Sequence, residues 1–417
     1  MITFRDYQQE GIRKALLHLD TRNEPVILQA ATGAGKSVMI AGIAKELDAP
    51  VLVLQPSKEL LEQNYEKIML LDTGIDVGMF SASVGKKDIC QVTYATIQSA
   101  FRCPKLFKDF KYVIIDECHQ FDPKNKNGMY NKFLRAIGSP KVIGLTATPY
   151  RLQQKYFEEN GQLYYTAYLK MINRIHPFFW KSIIFKIETA ELIEQGYLCP
   201  IKYRSDEVDW DSLELTSTGK DFTEDSMDQF WDDHRLEKLA KTIKFIDTYC
   251  QRNLIFCSSL RQAGRAQKLL SAVGIQSYIV SGTTPKIDRE RLVREFRTGE
   301  FKHMINVGVF TTGFDVPELD SIVIARPTMS LALYYQMVGR GVRIDPARPD
   351  KMLRVFDFAG VVTRLGKVET IRLAKEEHPK YPGFFMDMVE SEVGRMDEKP
   401  LFTFRVKKKM FNNKEKK

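Results

Sequence analysis

The 417-residue chain lacks any apolar run near the roughly 18 residues that a membrane span requires, so no membrane partner is expected. Its six cysteines (Cys90, Cys103, Cys118, Cys199, Cys250 and Cys257) include no CxxC pair. That argues against a zinc site and reads as scattered reduced thiols in a cytosolic protein. The opening residues MITFRDYQQE are polar and charged, so no secretory signal is expected. No stretch before the C-terminal tail is compositionally disordered, and the length exceeds one ordinary core and fits two or three domains.

What the chain does carry is positive charge, +9 at neutral pH, which suits either plain solubility or a polyanionic partner such as nucleic acid. It also carries two sets of short apolar runs alternating with helical patterns. In the first set Val26–Leu28, Val51–Leu54, Val113–Ile115 and Val142–Leu145 read as buried strands, with helices at 36–47 and 58–71. In the second set the strands are Leu254–Cys257, Ser277–Val280, Met304–Val307, Ile322–Ile324 and Leu353–Asp357, with helices at 261–273 and 285–298. This alternation predicts an α/β fold with two tandem lobes, each a mostly parallel sheet flanked by helices. The expected boundaries are 1–150 for the first lobe, 151–235 for a connector with an aromatic segment, 236–365 for the second lobe, and 366–417 for an extension ending in a basic tail.

Two local patterns carry chemistry. ATGAGKS, residues 31–37, follows a strand and opens a helix. Its glycines let backbone N–H groups curl around phosphates, Lys36 suits the β- and γ-phosphates, and Ser37 offers a hydroxyl to magnesium. About 80 residues later the run YVII ends in Asp116-Glu117-Cys118-His119. Asp116 at a strand end suits a magnesium ligand, and Glu117 suits a general base acting on water.

These two patterns, with Thr146-Ala147-Thr148 and the run QMVGRGVR at 336–343, resemble motifs I, II, III and VI of the superfamily 2 helicases in order and spacing. Pro56–Leu60 is similar to motif Ia, Thr93–Thr96 to the TxxT-type motif, Phe256–Ser259 to motif IV, and Thr311–Asp315 to motif V. Arg5-Asp6-Tyr7-Gln8, GLTATPYR, VGVFTTGFDVPELD and YYQMVGRGVR are similar to RadD-like and phage UvsW-like DNA helicases, although the cysteine-rich tail of the former has no counterpart. The resemblance covers residues 2–360 and implies two RecA-like domains.

For the site, the resemblance implies ATP and magnesium as cofactors. Arg5, Gln8, Thr32, Gly33, Ala34, Gly35, Lys36 and Ser37 would bind nucleotide from the first lobe, and Gly313 and Asp315 from the second. Gln8 has the donor and acceptor to read an adenine edge. Lys36, Asp116, Glu117, Gln336, Arg340 and Arg343 would be catalytic. The two arginines are expected on one face of a helix, and Ser37 and Asp116 would hold magnesium. Thr146 and Thr148 would couple hydrolysis to lobe movement, with hydroxyls reaching Asp116. Pro56, Ser57, Thr93, Thr96, Ser258, Ser259, Thr311 and Thr312 would hold the backbone of the nucleic-acid track.

The function so implied is an ATP-dependent helicase or translocase on forked or branched DNA, in replication, recombination or repair. It would act as a monomer in the cytoplasm of a bacterial or phage-infected cell. Single-strand-binding or recombination proteins are the expected partners. An RNA helicase and the motor subunit of a restriction complex are the alternatives within the class; a nucleotide-switched binding protein is the alternative outside it. The segment 151–200, with Phe178-Phe179-Trp180, reads either as a strand-separating wedge or as core between connector helices.

Overall fold

The computed structural model describes residues 3–405 except 72–73, 139, 220, 310–315, 378–384 and 398–399. The chain divides into two compact units, residues 1–151 with 170–192, and residues 152–169 with 193–417. Residues 151–235 are thus distributed over both.

The first ten strands in chain order are β1 (Val26–Ala30), β2 (Val51–Gln55), β3 (Val77–Ser81), β4 (Lys86–Lys87), β5 (Val92–Thr96), β6 (Tyr112–Asp116), β7 (Lys141–Thr146), β8 (Tyr150–Glu159), β9 (Gln162–Met171) and β10 (Ser182–Ile187), and all but β8 and β9, which fall mostly in the second unit, build the first unit. Eight of them form one sheet in the order β10-β1-β7-β6-β2-β5-β3-β4, parallel throughout except for the β3–β4 pair. Strands β1, β2, β5 and β6 are buried at every residue. That explains why β1, β2 and β6 open on unbroken apolar runs rather than alternating ones, whereas β5 buries two threonines as well. Helices α1 (Asp6–Thr21), α2 (Lys36–Glu46) and α3 (Lys58–Met69) belong to this unit. Because β7 lies between β1 and β6, Thr146 pairs with Gln29 on one side while Leu145 pairs with Asp116 on the other. Three motifs distant in sequence therefore meet at the carboxyl ends of three adjacent strands, the edge where open α/β sheets bind ligands.

The second unit contains a six-stranded, all-parallel sheet. Its strands are β11 (Ile201–Ser205), β12 (Asn253–Cys257), β13 (Ser277–Ser281), β14 (His303–Val307), β15 (Ser321–Ala325) and β16 (Leu353–Asp357), in the order β11-β16-β15-β12-β14-β13. Strands β17 (Arg372–Glu377), β18 (Phe385–Ser391) and β19 (Gly394–Arg395) make a small antiparallel sheet, and β20 (Phe402–Arg405) adds to β9 and β8.

One expectation changes, and one open alternative closes on its core reading. The segment read as connector helices contains the β8 and β9 strands, and then β10, which completes the first sheet beside β1. Phe178-Phe179-Trp180 is not an exposed aromatic wedge. Trp180 is fully buried, edge-on to Phe121 at 6.0 Å and to Phe179 at 5.0 Å, inside the core of the first unit. Phe178 alone of the three is exposed. Among the described residues no helix is long and apolar enough to cross a membrane.

Candidate active site

Between β1 and α2 the backbone turns through Gly33 (φ 89°) and Gly35 (φ 78°), both in the left-handed region that favours glycine. Gly35 also lacks room for a side chain, since a Cβ there would lie 2.6 Å from the Gln8 Nε2. The loop is braced from α1. The Tyr7 hydroxyl and the Gln8 Nε2 both donate to the Ala34 carbonyl, at 2.8 and 2.9 Å. The Gln8 Oε1 accepts from the Arg5 N–H at 3.0 Å, and the Arg5 guanidinium donates to the Tyr7 hydroxyl at 3.1 Å. Each amide atom of Gln8 thus has one protein partner, leaving its second hydrogen and second lone pair for any ligand. Thr32, Gly33, Lys36 and Ser37 are partly exposed along the loop, while Ala34 is buried. The Lys36 ammonium donates to the Ala30 carbonyl at 3.4 Å and lies 4.0 Å from a Glu117 oxygen.

Asp116 closes β6 and is 3% exposed. One of its oxygens accepts from the Glu117 N–H at 2.9 Å and the other from the Asn64 side chain of α3 at 2.8 Å. Burial, then the adjacent Glu117 charge, pushes its carboxyl up to about 6, against the pull of Lys36 and Asn64. Glu117 has a left-handed backbone, φ 47°. Its carboxylate accepts from the Thr146 hydroxyl at 3.4 Å and lies 3.3 Å from the His119 Nδ1. His119 Nδ1 in turn lies 2.8 Å from the Thr146 hydroxyl and 3.4 Å from that of Thr148. Thr146 therefore meets Glu117 directly as well as through His119, and Thr148 meets it through His119 alone, whereas the expectation had their hydroxyls reaching Asp116. The strand register explains the shift: Asp116 pairs with Leu145, and Glu117 turns back toward β7.

The donor set fits a hard divalent cation. Two adjacent carboxylates face one lysine, and the partly exposed Ser37 follows that lysine at the start of α2. Among the described residues no group of three or more His, Cys, Asp or Glu forms a metal cage. A cation here would rely on phosphate and water oxygens for most of its shell, as magnesium commonly does.

In the second unit the helix Leu331–Val338 carries Gln336 and ends before the arginines. Arg340 and Arg343 lie in the turn that follows, not on a helical face. Gly339 and Gly341 flank Arg340, and the Gly341 N–H returns to the Val338 carbonyl at 3.0 Å. Arg340 is mostly buried and Arg343 partly so.

The residues expected to hold a track divide sharply. Pro56 and Ser57 are partly exposed, with the Ser57 hydroxyl capping α3 by accepting from the Leu60 N–H at 3.3 Å. Ser258 is partly exposed as a residue although its hydroxyl is buried. Three hydroxyls are not available as expected. Thr93 is fully buried, exchanging bonds of 2.9 Å with the Cys90 backbone. Thr96 donates to Ser81 and Ser99. Ser259 caps the helix Leu260–Ala272 and bonds to Asp228. The reason is local: β5 is covered on both faces, and Ser259, unlike the partly exposed N-cap Ser57, is buried as well as bonded. Thr311, Thr312, Gly313 and Asp315 lie outside the described residues. Sequence reasoning missed Asn64 and His119 as site members. His119 was visible in the DECH run, but Asn64 is 52 residues from its partner and carries no local signal.

Residues 1–151 match the family model of the type III restriction enzyme res subunit, and residues 235–345 match that of the helicase conserved C-terminal domain. Over 379 residues the chain is 26% identical to the putative ATP-dependent helicase IRC3 of Saccharomyces cerevisiae, covering 85% of this chain and 51% of that protein. It is 24% identical over 384 residues to the DNA 3'-5' translocase XPB2 of Sulfurisphaera tokodaii, covering 82% of this chain and 79% of the relative. The chain thus spans about half the length of the first of these and most of the second. Among solved structures, a fragment of a putative HsdR subunit of a type I restriction enzyme from Vibrio vulnificus superposes with a TM-score of 0.61 at 20% identity, over 91% of this chain and 67% of that one. That likeness shows a shared fold. With both helicase-core domain families matched in order, and the phosphate loop, the DECH acids and the Thr146–Thr148 strand end gathered at one sheet edge, the chain belongs to the superfamily 2 helicases.

Proposed function

We propose that the chain is an ATP-driven motor that moves along DNA and opens or branch-migrates forked or branched duplexes. The observation that carries this reading is the bonded chain Lys36–Glu117–His119–Thr146/Thr148. It links a phosphate loop to a base and to the strand end from which movement would be relayed. In this reading the loop N–H groups and Lys36 bind the β- and γ-phosphates, and Arg5 and Gln8 stand beside the loop to select adenine. Magnesium, held by Ser37 and Asp116, would neutralise phosphate charge. Glu117 orients a water and accepts its proton. Gln336, Arg340 and Arg343, together with Gly313 and Asp315, supply the contacts of the second lobe. An arginine that meets the developing phosphate charge contributes roughly 10³–10⁵ in rate.

For the track, Pro56, Ser57, Ser258, Thr311 and Thr312 remain the candidate contacts. DNA is favoured by the name of the archaeal relative, which also supports 3' to 5' movement. The family match of residues 1–151 to a restriction subunit favours a second reading, a duplex translocase that moves without separating strands. A monomer working beside single-strand-binding or recombination proteins in the cytoplasm completes the proposal.

The test is steady-state ATPase activity with single-stranded DNA, forked DNA, a four-way junction and matching RNAs. Forked or junction DNA is expected to stimulate turnover. Lys36→Ala should abolish it, and Glu117→Gln should lower kcat by about 10²–10⁴ while nucleotide still binds. Stimulation by RNA alone would overturn the DNA assignment. Displacement of a triplex strand without fork opening would select the translocase reading.

A further inference from the structure

The two arginines of the second unit sit in a turn whose backbone is held by a residue outside every helicase motif. Lys351, just before β16, is 5% exposed. Its ammonium donates to three carbonyls, Pro317 at 2.6 Å, Gly341 at 2.8 Å and Arg343 at 2.7 Å. An ammonium has three N–H groups, and here each has an acceptor. Gly341 lies between Arg340 and Arg343, and Pro317 follows two residues after Asp315. One side chain therefore ties the residue range after motif V to both sides of the arginine turn.

The same turn is fixed from its other sides. The Cys199 N–H donates to the Val342 carbonyl at 2.8 Å, and Leu198 bridges Arg343 in antiparallel fashion. Gly341 is pressed onto β16 so closely that a Cβ would lie 2.3 Å from a Leu353 methyl. Arg348 runs a second tie in parallel with Lys351. Its guanidinium donates to the Glu318 carbonyl at 2.8 Å, to Asp320 at 2.6 Å and to Asp345 at 2.8 Å. Asp320 is itself anchored by the Gln251 and Arg252 N–H groups, at 2.7 and 3.1 Å. Burying a lysine is costly unless every proton is used, and here all three are spent on backbone carbonyls of the turn and its neighbour. A threefold carbonyl clamp fixes the backbone positions from which two arginines project.

We propose that Lys351 is a positioning residue for ATP hydrolysis, setting the turn that aims Arg340 and Arg343, with Arg348 as its weaker, half-exposed companion. This rests on the reading of Arg343 as a ligand of the transferring phosphate. Misplacing such a group by about 1 Å costs on the order of 10²-fold in rate. It leaves ground-state binding by the phosphate loop in place, so kcat falls while KM does not.

The experiment is a double-mutant cycle on the full chain, with DNA-stimulated ATPase kinetics and thermal unfolding measured on wild type, Lys351→Met, Arg343→Ala and the double variant. Expected are a kcat loss of about 10–100-fold in Lys351→Met, a KM for ATP within about twofold of wild type, and a markedly smaller loss when Lys351→Met is added to Arg343→Ala than when it is made alone, the remainder being that of Arg340. An additive loss, or a lowered melting temperature with unchanged kcat per folded molecule, would overturn the inference. If Lys351→Met does not fold, Arg348→Ala is judged by the same two criteria, with a smaller kcat loss expected. Arg343→Ala alone separates the two levels. Wild-type kcat there would sink the reading of Arg343 itself, whereas a loss there with none in Lys351→Met would sink only the clamp.

Discussion

Glu117 and Asn160 are the non-glycine residues with positive φ among those described. The left-handed backbone at Glu117 costs roughly 1–2 kcal/mol, and its effect is visible in the geometry. A strand sends successive side chains to opposite faces. Continuing β6 through Glu117 would separate it from Asp116, whereas the turn leaves both carboxylates within reach of Lys36. Placing two acids together in a buried site has a consequence for the unliganded protein. The Asp116 carboxyl, held near 6, keeps a proton that the unfolded chain releases at its ordinary value of 3.8. The folded state then binds more protons across the range between those values, so stability falls as pH rises from about 4 to about 6 and stays low above it. Asp116→Asn keeps the shape and removes the charge. Without nucleotide or metal it should melt higher than wild type at pH 7.5, by several degrees, and the gap should close toward pH 4. A melting temperature that is unchanged or lower at pH 7.5 would show that the acid pair is not under this strain.

At the scale of elements, the strands that are continuous apolar runs were legible, because burial on both faces removes the alternation of polar positions. The phosphate loop was legible because only glycines fit its two left-handed positions. The β8–β9 region was not. Its strands begin at Tyr150 and end at Met171, and the outer half of β8 is exposed, so neither an apolar run nor a clean alternation marks it. The strand β10 was hidden in the same way, its residues only partly buried at a sheet edge. The burial of the Thr93 and Thr96 hydroxyls was illegible for a different reason. A motif gives residue type and spacing but not which face of β5 turns to solvent, and both turned out covered. Trp180 shows what the hidden segment does. It enters the core beside Phe121 just ahead of β10 and is fully buried. Trp180→Ala should destabilise the first unit by about 3–5 kcal/mol, read by urea denaturation. Nucleotide binding should be lost at the lower denaturant midpoint and normal in its absence. A loss below about 1 kcal/mol would show that β10 is not fastened to the sheet through this residue.

For the whole molecule, the folded unit and the matched domain do not coincide. The family match of the first region ends at residue 151, but the compact unit continues with residues 170–192. The difference bears on function because β10 covers the open side of β1, the strand that delivers the phosphate loop. It pairs with β1 from Val26 to Ala30, the Lys181 N–H donates to the Pro25 carbonyl at 2.8 Å, and the Ala31 N–H donates to the Ile187 carbonyl at 3.1 Å. Without β10, β1 becomes an edge strand of apolar residues, a template for aggregation, and the N–H at the start of the loop loses its acceptor. A fragment of residues 1–192 should therefore fold cooperatively and bind ATP, whereas 1–151 should be aggregation-prone and bind weakly or not at all. Circular dichroism melts and a fluorescent-nucleotide titration on both fragments decide the matter. Equal binding by the two would mean that the loop is organised by α1, β1 and β7 alone, with Gln8 and Tyr7 as sufficient braces.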